Sequence, residues 1–468
     1  MRRALFACVA LLAGCKLTGQ DIDPRPYSET VGLVEAARKT RQNGTLAAFS
    51  RDAEAALFAH HWKYAGWAEC LRKTKGKVLY DEFGDQACYS GYLTAGLVYN
   101  YLNDPSNPTK KAHLRKALAQ HRLKTLACGR RGYLPRGFTS TDCPVKGAHK
   151  FIRCKAPYEG YMYYARGPSP GQYMGTLYGL HVAVTHLKGK DVELYKLSLE
   201  TLKDICDDLV TTGFTLKKPD GFPTDIPFFL LRGPKVFLPG VGHITMGYGK
   251  YKKTYVNLAE KYNLNCLAVM SMAYHHTRDP KFLLWYDTFV KEGRHRNVYR
   301  ATIEIGDLRV GKGSSHLGTM AALAMLLPTH PRTDATTREY EKALRVWWQK
   351  TASWENALWY GVYYELTGKD RKRLGAVIAK RLKTYPKLPR REREIVNSNR
   401  PDLPLKRKGI SGYVAKDPLP WFMAPRMGFY PVKTPFKLDA GGSKKRWYGS
   451  GDFVLCYQYA RFLKLIEE

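Results

Sequence analysis

From about residue 49 onward, hydrophobic positions recur at helical spacing, and the segments come in pairs. In each pair, a segment that is apolar or small on nearly every side ends at a short turn. A basic amphipathic segment with one apolar stripe follows. Ala87–Leu102 precedes Thr109–Leu126, Gln172–Leu187 precedes Val192–Val210, and Tyr255–His276 precedes Pro280–Val290. Ser314–Leu327 with Asp334–Gln349 and Trp354–Leu366 with Arg371–Leu382 continue the series. Apolar residues all round, as in Met174-Gly175-Thr176-Leu177-Tyr178-Gly179-Leu180, predict an inner helix buried on both sides. A single stripe, as in Leu202, Ile205 and Leu209, predicts an outer helix with one buried face.

The turns within pairs share their chemistry: Asn103-Asp104-Pro105, Lys188-Gly189-Lys190-Asp191, Arg278-Asp279-Pro280 and Gly368-Lys369-Asp370. Asp at an N-cap and Pro in a first turn stop one helix and start the next. Two further helices, Asp52–Arg72 and Phe453–Ile466, lack partners; joining them as outer and inner members closes a ring. The fold class predicted is all-α, an (α/α)6 toroid of about six helical hairpins. The long connections Cys128–Pro170, Thr211–Thr254, Lys291–Gly313 and Lys383–Gly451 all run from an outer to an inner helix. They must therefore gather at one face, where the inner helices begin. Long loops on a rigid scaffold are where sites are built, and helix N-termini favour anions.

The first residues have a different pattern. Arg2 and Arg3 precede an apolar run over Ala4–Leu12, too short to span a bilayer, and Leu12-Ala13-Gly14-Cys15 resembles a lipobox. Cys15 is the predicted lipidation site, making the protein exported and membrane-anchored at the outer membrane, periplasm or cell surface. The expected organisation is a signal over 1–15, a tether over 16–48 and one toroid domain over 49–468, with a long insertion at about 383–451. With 76 Lys+Arg against 41 Asp+Glu the net charge is +35, which attracts polyanions. Export turns that expectation from nucleic acid toward an acidic glycan or anionic lipid. Cysteines beyond Cys15 meet an oxidising compartment, where Cys143 and Cys154, bracketing a short loop, are the favoured disulfide pair. Cys206 and Cys266, in apolar helical patterns, read as buried thiols. Without Cys-x-x-Cys spacing, no structural metal is expected, and no cofactor either. Gly306-Asp307-Leu308-Arg309-Val310-Gly311-Lys312 imitates a phosphate loop, but Gly313 stands where a Ser or Thr hydroxyl belongs.

The loop before the second hairpin interleaves Tyr and Arg: Tyr133-Leu134-Pro135-Arg136 and Tyr158-Glu159-Gly160-Tyr161-Met162-Tyr163-Tyr164-Ala165-Arg166. Aromatic faces stack on sugars and Arg pairs with carboxylate or sulfate. The segments Pro168-Ser169-Pro170-Gly171-Gln172-Tyr173, Gly213-Phe214-Thr215-Leu216, Pro219-Asp220-Gly221-Phe222-Pro223-Thr224, Ser90-Gly91-Tyr92 and Phe436-Lys437-Leu438-Asp439-Ala440-Gly441-Gly442 resemble exported bacterial lipoproteins of the six-hairpin glycosidase-like class. Members of that group carry an acid before the Gln/His-Tyr of the inner helix, where this chain has Gly171. The resemblance implies a toroid and a carbohydrate-active protein, leaving the reaction open.

A glycoside hydrolase would take two carboxylates from Asp81, Asp85, Glu159, Asp225, Glu304, Asp307, Glu355 and Asp452. Asp85 and Glu355 stand out because they precede inner helices, a position equally suited to capping. A lyase or epimerase would use a Tyr or His base with a cation, with Tyr89, Tyr173, Arg166, His243 and His316 as candidates. The candidate catalytic residues are thus Asp85, Glu355, Tyr173 and His316. Tyr89, Tyr92, Arg136, Tyr161, Tyr164, Arg166, Gln172 and Asp225 are the candidate substrate-binding residues. The expected partners are an acidic or neutral glycan and, through the lipid, a membrane; the alternative is a non-catalytic glycan-binding or envelope-associated lipoprotein.

Overall fold

A computed structural model describes residues 44–467 apart from 82, 229–234, 239–241, 246–251, 303–311, 387, 389, 392–394, 408–412, 424–434 and 441–444. The signal, Cys15, most of the tether, Glu304, Asp307 and the imitation phosphate loop lie outside the described residues.

Twelve α-helices are present among the described residues. They are α1 (Leu46–Ala56), α2 (Gln86–Leu102), α3 (Pro108–Ala127), α4 (Pro170–Leu187), α5 (Val192–Thr211) and α6 (Lys252–Thr277). Then come α7 (Pro280–Lys291), α8 (Lys312–Thr329), α9 (Asp334–Thr351), α10 (Ala357–Thr367), α11 (Arg371–Leu382) and α12 (Gly451–Phe462). The even-numbered helices touch in a closed ring, α2 to α4, α6, α8, α10, α12 and back to α2. Outside it, α3 packs on α2, α5 on α4, α7 on α6, α9 on α8, α11 on α10 and α1 on α12. This is the (α/α)6 toroid. Its centre is filled, because α4 also touches α8 and Tyr92 on α2 donates across the ring to Leu317 O at 3.2 Å.

Local chemistry explains the hairpins. Asp191 accepts from Leu194 N at 3.2 Å, Asp279 from Lys281 N at 3.2 Å, and Pro280 follows in the first turn. In the first turn region the cap is Asn107, accepting from Thr109 N and Lys110 N, while Asp104 binds Ser106 and Lys110. Glycine lets α2 and α4 meet backbone to backbone. A Cβ on Gly91 would lie 2.1 Å from Gly175 O, and one on Gly179 would lie 2.1 Å from Gly91 O. The small residues of the inner helices are therefore set by helix approach.

Two boundaries differ from the sequence expectation. The first helix ends at Ala56, not Arg72; a π-turn over Leu57–His61 follows, then strand β1 (Cys70–Thr74). It pairs with β2 (Lys77–Asp81) through Lys75-Gly76, both at positive φ (47° and 77°), as a tight two-residue hairpin requires. The tenth helix starts at Ala357, because Asn356 caps it and Glu355 adopts a left-handed φ of 48°. The long connections also carry small antiparallel sheets. β3 (Phe138–Ser140), β4 (Phe151–Arg153) and β5 (Tyr161–Tyr164) form one, in order β3-β5-β4. β1 and β2 form another with Arg390–Arg391 and Arg446–Tyr448, tying the connection before α12 to the start of the chain.

Candidate active site

The N-termini of α2 and α12 lie beside one another, and a narrow recess opens there, lined by Trp67, Glu69, Tyr89, Leu93, Gly449, Gly451 and Asp452. It sits at the ends of the inner helices where the loop lengths place the functional face. Tyr89 and Leu93 are one turn apart on α2, and Gly451 and Asp452 open α12. Trp67 and Glu69 come from the irregular stretch before β1. That stretch is pinned by Gln86, the first residue of α2, whose Nε2 donates to Trp67 O and to Phe138 O (2.9 Å) while its Oε1 accepts from Phe138 N (2.7 Å). His61 Nδ1, 3.0 Å from Ala68 O, holds the same stretch from the other side.

The recess joins two carboxylates, Glu69 and Asp452, both buried. Asp452 Oδ1 accepts from the Tyr385 hydroxyl and from Phe453 N at 3.0 Å. The Trp67 indole Nε1 is buried and has no hydrogen-bond partner among the described residues. Burial, then the Glu69 and Asp85 carboxylates, push the Tyr89 hydroxyl well above its ordinary value. Burial thus favours the neutral, donating form of Tyr89. Behind it, burial and then Asp85 and Glu69 raise the Cys88 thiol, against the opposing pull of Arg136 and Lys261. Burial brings the Lys261 ammonium on α6 down to about 8. Carboxylates and cations thus share one end of the ring.

Some of the sequence-predicted residues gather here. Tyr89 is on the wall. Asp85, half-exposed at the N-cap of α2, accepts from Gln172 Nε2 at 3.0 Å, and Arg136 lies 4.0 Å from the same oxygen. Gln172 also closes the capping box of α4, accepting from Ser169 N at 2.7 Å, so it couples two inner-helix starts. Other candidates do not come together with these. Glu355 faces outward to Lys380 (3.5 Å) and Arg381 (3.9 Å) on α11, because its left-handed backbone turns it away. Tyr173 is fully buried near Asp208 and Arg130, with burial raising its hydroxyl far above the usual range. His316 is boxed by Trp354 (5.4 Å) and Trp359 (5.9 Å), a packing position. Tyr92 is spent on the cross-ring bond to Leu317. Tyr161 stacks on Phe138 at 5.4 Å and Tyr164 packs edge-on to Phe151 at 5.4 Å, both within the three-stranded sheet. Arg166 is exposed beyond that sheet. Asp225 falls in strand Pro223–Phe228 and His243 in strand Gly242–Thr245, but the side chains of both lie outside the described residues.

Sequence reasoning missed Glu69, Trp67 and Lys261. Glu69 and Trp67 lay in a stretch assigned to helix, and Lys261 in an inner helix, where a lone Lys reads as solvated. The disulfide expectation is corrected too. Cys143 and Cys154 are free thiols in separate buried clusters: Cys143 packs with Leu71, Tyr80 and Phe83, whereas Cys154 is grouped with Cys128. Cys206 and Cys266 are buried free thiols, as expected.

Fold and recess together define an all-α toroid of six hairpins with a carboxylate-bearing recess at the inner-helix N-termini. No family model matches the chain, and no curated protein does. Among solved structures, the chain is similar to cellobiose 2-epimerase from Spirochaeta thermophila DSM 6192, with a TM-score of 0.40 and 12% identity, over 90% of this chain and 97% of that one.

Proposed function

We propose that this protein is a lipid-anchored, extracytoplasmic carbohydrate-active enzyme that cleaves an acidic glycan at the recess between α2 and α12. One observation carries the reading: the buried carboxylates Glu69 and Asp452 line one narrow recess together with Trp67 and Tyr89, a recess of about the size of a water that has to widen to admit a sugar. Paired carboxylates are the minimum for acid/base cleavage of a glycosidic bond, and aromatic faces hold sugar rings. Asp452 already accepts from Tyr385 and Phe453 N, which suits it to act as base or nucleophile. Glu69 is then the proton donor to the leaving oxygen. Arg136 and Lys261, close behind the wall, would neutralise a substrate carboxylate, and the same pairing would support elimination from a uronate. The charge of +35 would draw a polyanion toward the face.

The test is incubation of the full-length protein in detergent with a panel of acidic and neutral glycans. New reducing ends report hydrolysis, and ultraviolet absorbance of unsaturated uronates reports elimination. Product formation that disappears in Glu69→Gln and Asp452→Asn supports the reading. Glycan retention without product from any substrate overturns it in favour of a binding protein.

A further inference from the structure

Away from the recess, the C-terminal end of α3 meets the three-stranded sheet over a buried patch of Ala127, Cys128, Tyr133, Phe138 and Cys154. Cys128 is the C-cap of α3, and Cys154 follows β4 with its N–H donating to Tyr161 O at 2.9 Å. The two thiols are free, 1% and 5% exposed, and share this one buried cluster. Lys124 sits one turn before Cys128 on the same helix, a spacing that puts both on one face. It is fully buried, and its Nζ has no hydrogen-bond partner among the described residues. An ammonium in that position is costly unless a counter-charge forms beside it. Burial pushes Lys124 down to about 7, so near neutrality it is available as an amine that can take a proton.

We propose that Cys128 and Cys154 are a dithiol that closes to a disulfide on meeting a small-molecule disulfide oxidant, with Lys124 as the proton acceptor. The Cys154 thiolate, favoured by the neighbouring Cys128 thiol, attacks one sulfur of the oxidant R–S–S–R and releases one RS⁻. Cys128 then passes its proton to Lys124 Nζ, and its thiolate attacks Cys154 Sγ, expelling the second RS⁻. Two protein thiols are oxidised and one external disulfide is reduced to two thiols. The two cysteine protons end on the released thiolates, one of them by way of Lys124. Closure would lock the sheet to α3, and with it the Tyr133–Phe138 stretch that carries Arg136 and anchors Gln86. This inference is independent of the reaction at the recess.

The experiment incubates reduced full-length protein with oxidised glutathione, then denatures, alkylates and maps it by mass spectrometry. We expect two fewer alkylated thiols than in the reduced protein and one cross-linked peptide pair joining Cys128 to Cys154. With about 26 residues in the closed loop, the oxidised form should melt about 3–4 °C higher. Lys124→Met should slow closure and move its pH dependence to higher pH. A full thiol complement after oxidation, or a cross-link joining Cys143 to Cys154, overturns the dithiol. Unchanged closure kinetics and pH dependence in Lys124→Met overturn the role of the lysine.

Discussion

Gly91→Ala adds one methyl group at the point where α2 and α4 touch. The new Cβ would lie 2.1 Å from Gly175 O, 2.4 Å from Gly175 C and 2.5 Å from Thr176 Cα. Non-bonded atoms rest at about 3.5–4 Å, so the helices must part by about 1 Å. A gap of that size forfeits a quarter to a half of the dispersion between facing atoms, and overpacking of this kind costs about 1–3 kcal/mol. Alanine's better helix propensity offsets about 1 kcal/mol. All three obstructing atoms are backbone, so no rotamer change relieves the clash, which places the cost at or beyond the upper end. The net expectation is a loss of about 2 kcal/mol. Gly171→Ala is the matched control. It lies exposed in the first turn of α4, its nearest contact would be Ser169 Oγ at 3.9 Å, and it should be neutral or gain up to about 1 kcal/mol. Urea unfolding of both variants, with an unchanged slope, reads the difference as opposite shifts of the midpoint. If Gly91→Ala unfolds at the same urea concentration as Gly171→Ala, the backbone contact is not what selects glycine, and the reasoning fails.

Three other outcomes follow from the site and its surroundings. In an assay that detects cleavage, Glu69→Gln and Asp452→Asn should each lower kcat by about 10²-fold or more, while Glu355→Gln leaves it unchanged; equal losses at all three would remove the recess from the mechanism. Tyr385→Phe deletes a donor to Asp452, so kcat should fall about tenfold or more, with the melting temperature lowered by no more than about 3 °C, as for one lost buried hydrogen bond. At the opposite end of the ring, burial and then Lys190 bring His186 down to about 4. The unfolded chain therefore binds a proton at higher pH than the folded one, and stability falls as pH drops from about 6.5 toward 4. With the side chain 20% exposed, about 2 kcal/mol should be lost over that window, and His186→Phe should flatten the profile by that amount in chemical denaturation at stepped pH. A parallel pair of profiles would refute it.

Much of the ring was legible because its causes are local. A helix with one buried face announces itself over a few turns, and Asp191, Asp279 and Pro280 mark starts by chemistry confined to one turn. Loop lengths then placed the long connections at the inner-helix N-termini without any contact being known. The Lys75-Gly76 hairpin was also written locally, in the residues flanking a glycine, but the helix expected over Asp52–Arg72 ran into the start of β1.

Tertiary structure alone decided which residues meet. Glu69 and Asp452 come from opposite ends of the chain and converge only because α12 closes the ring against α2. Glu355 satisfied the same sequence criterion as Asp85, yet a left-handed backbone turns it to α11. Cys143 is nearer to Cys154 in sequence, but Cys128 is the one that shares its buried cluster, because spacing counts residues while packing depends on where each strand and helix end leads. Periodicity and capping are encoded within a turn or two. The site is assembled by packing between distant segments, and those positions exist only once the ring has closed.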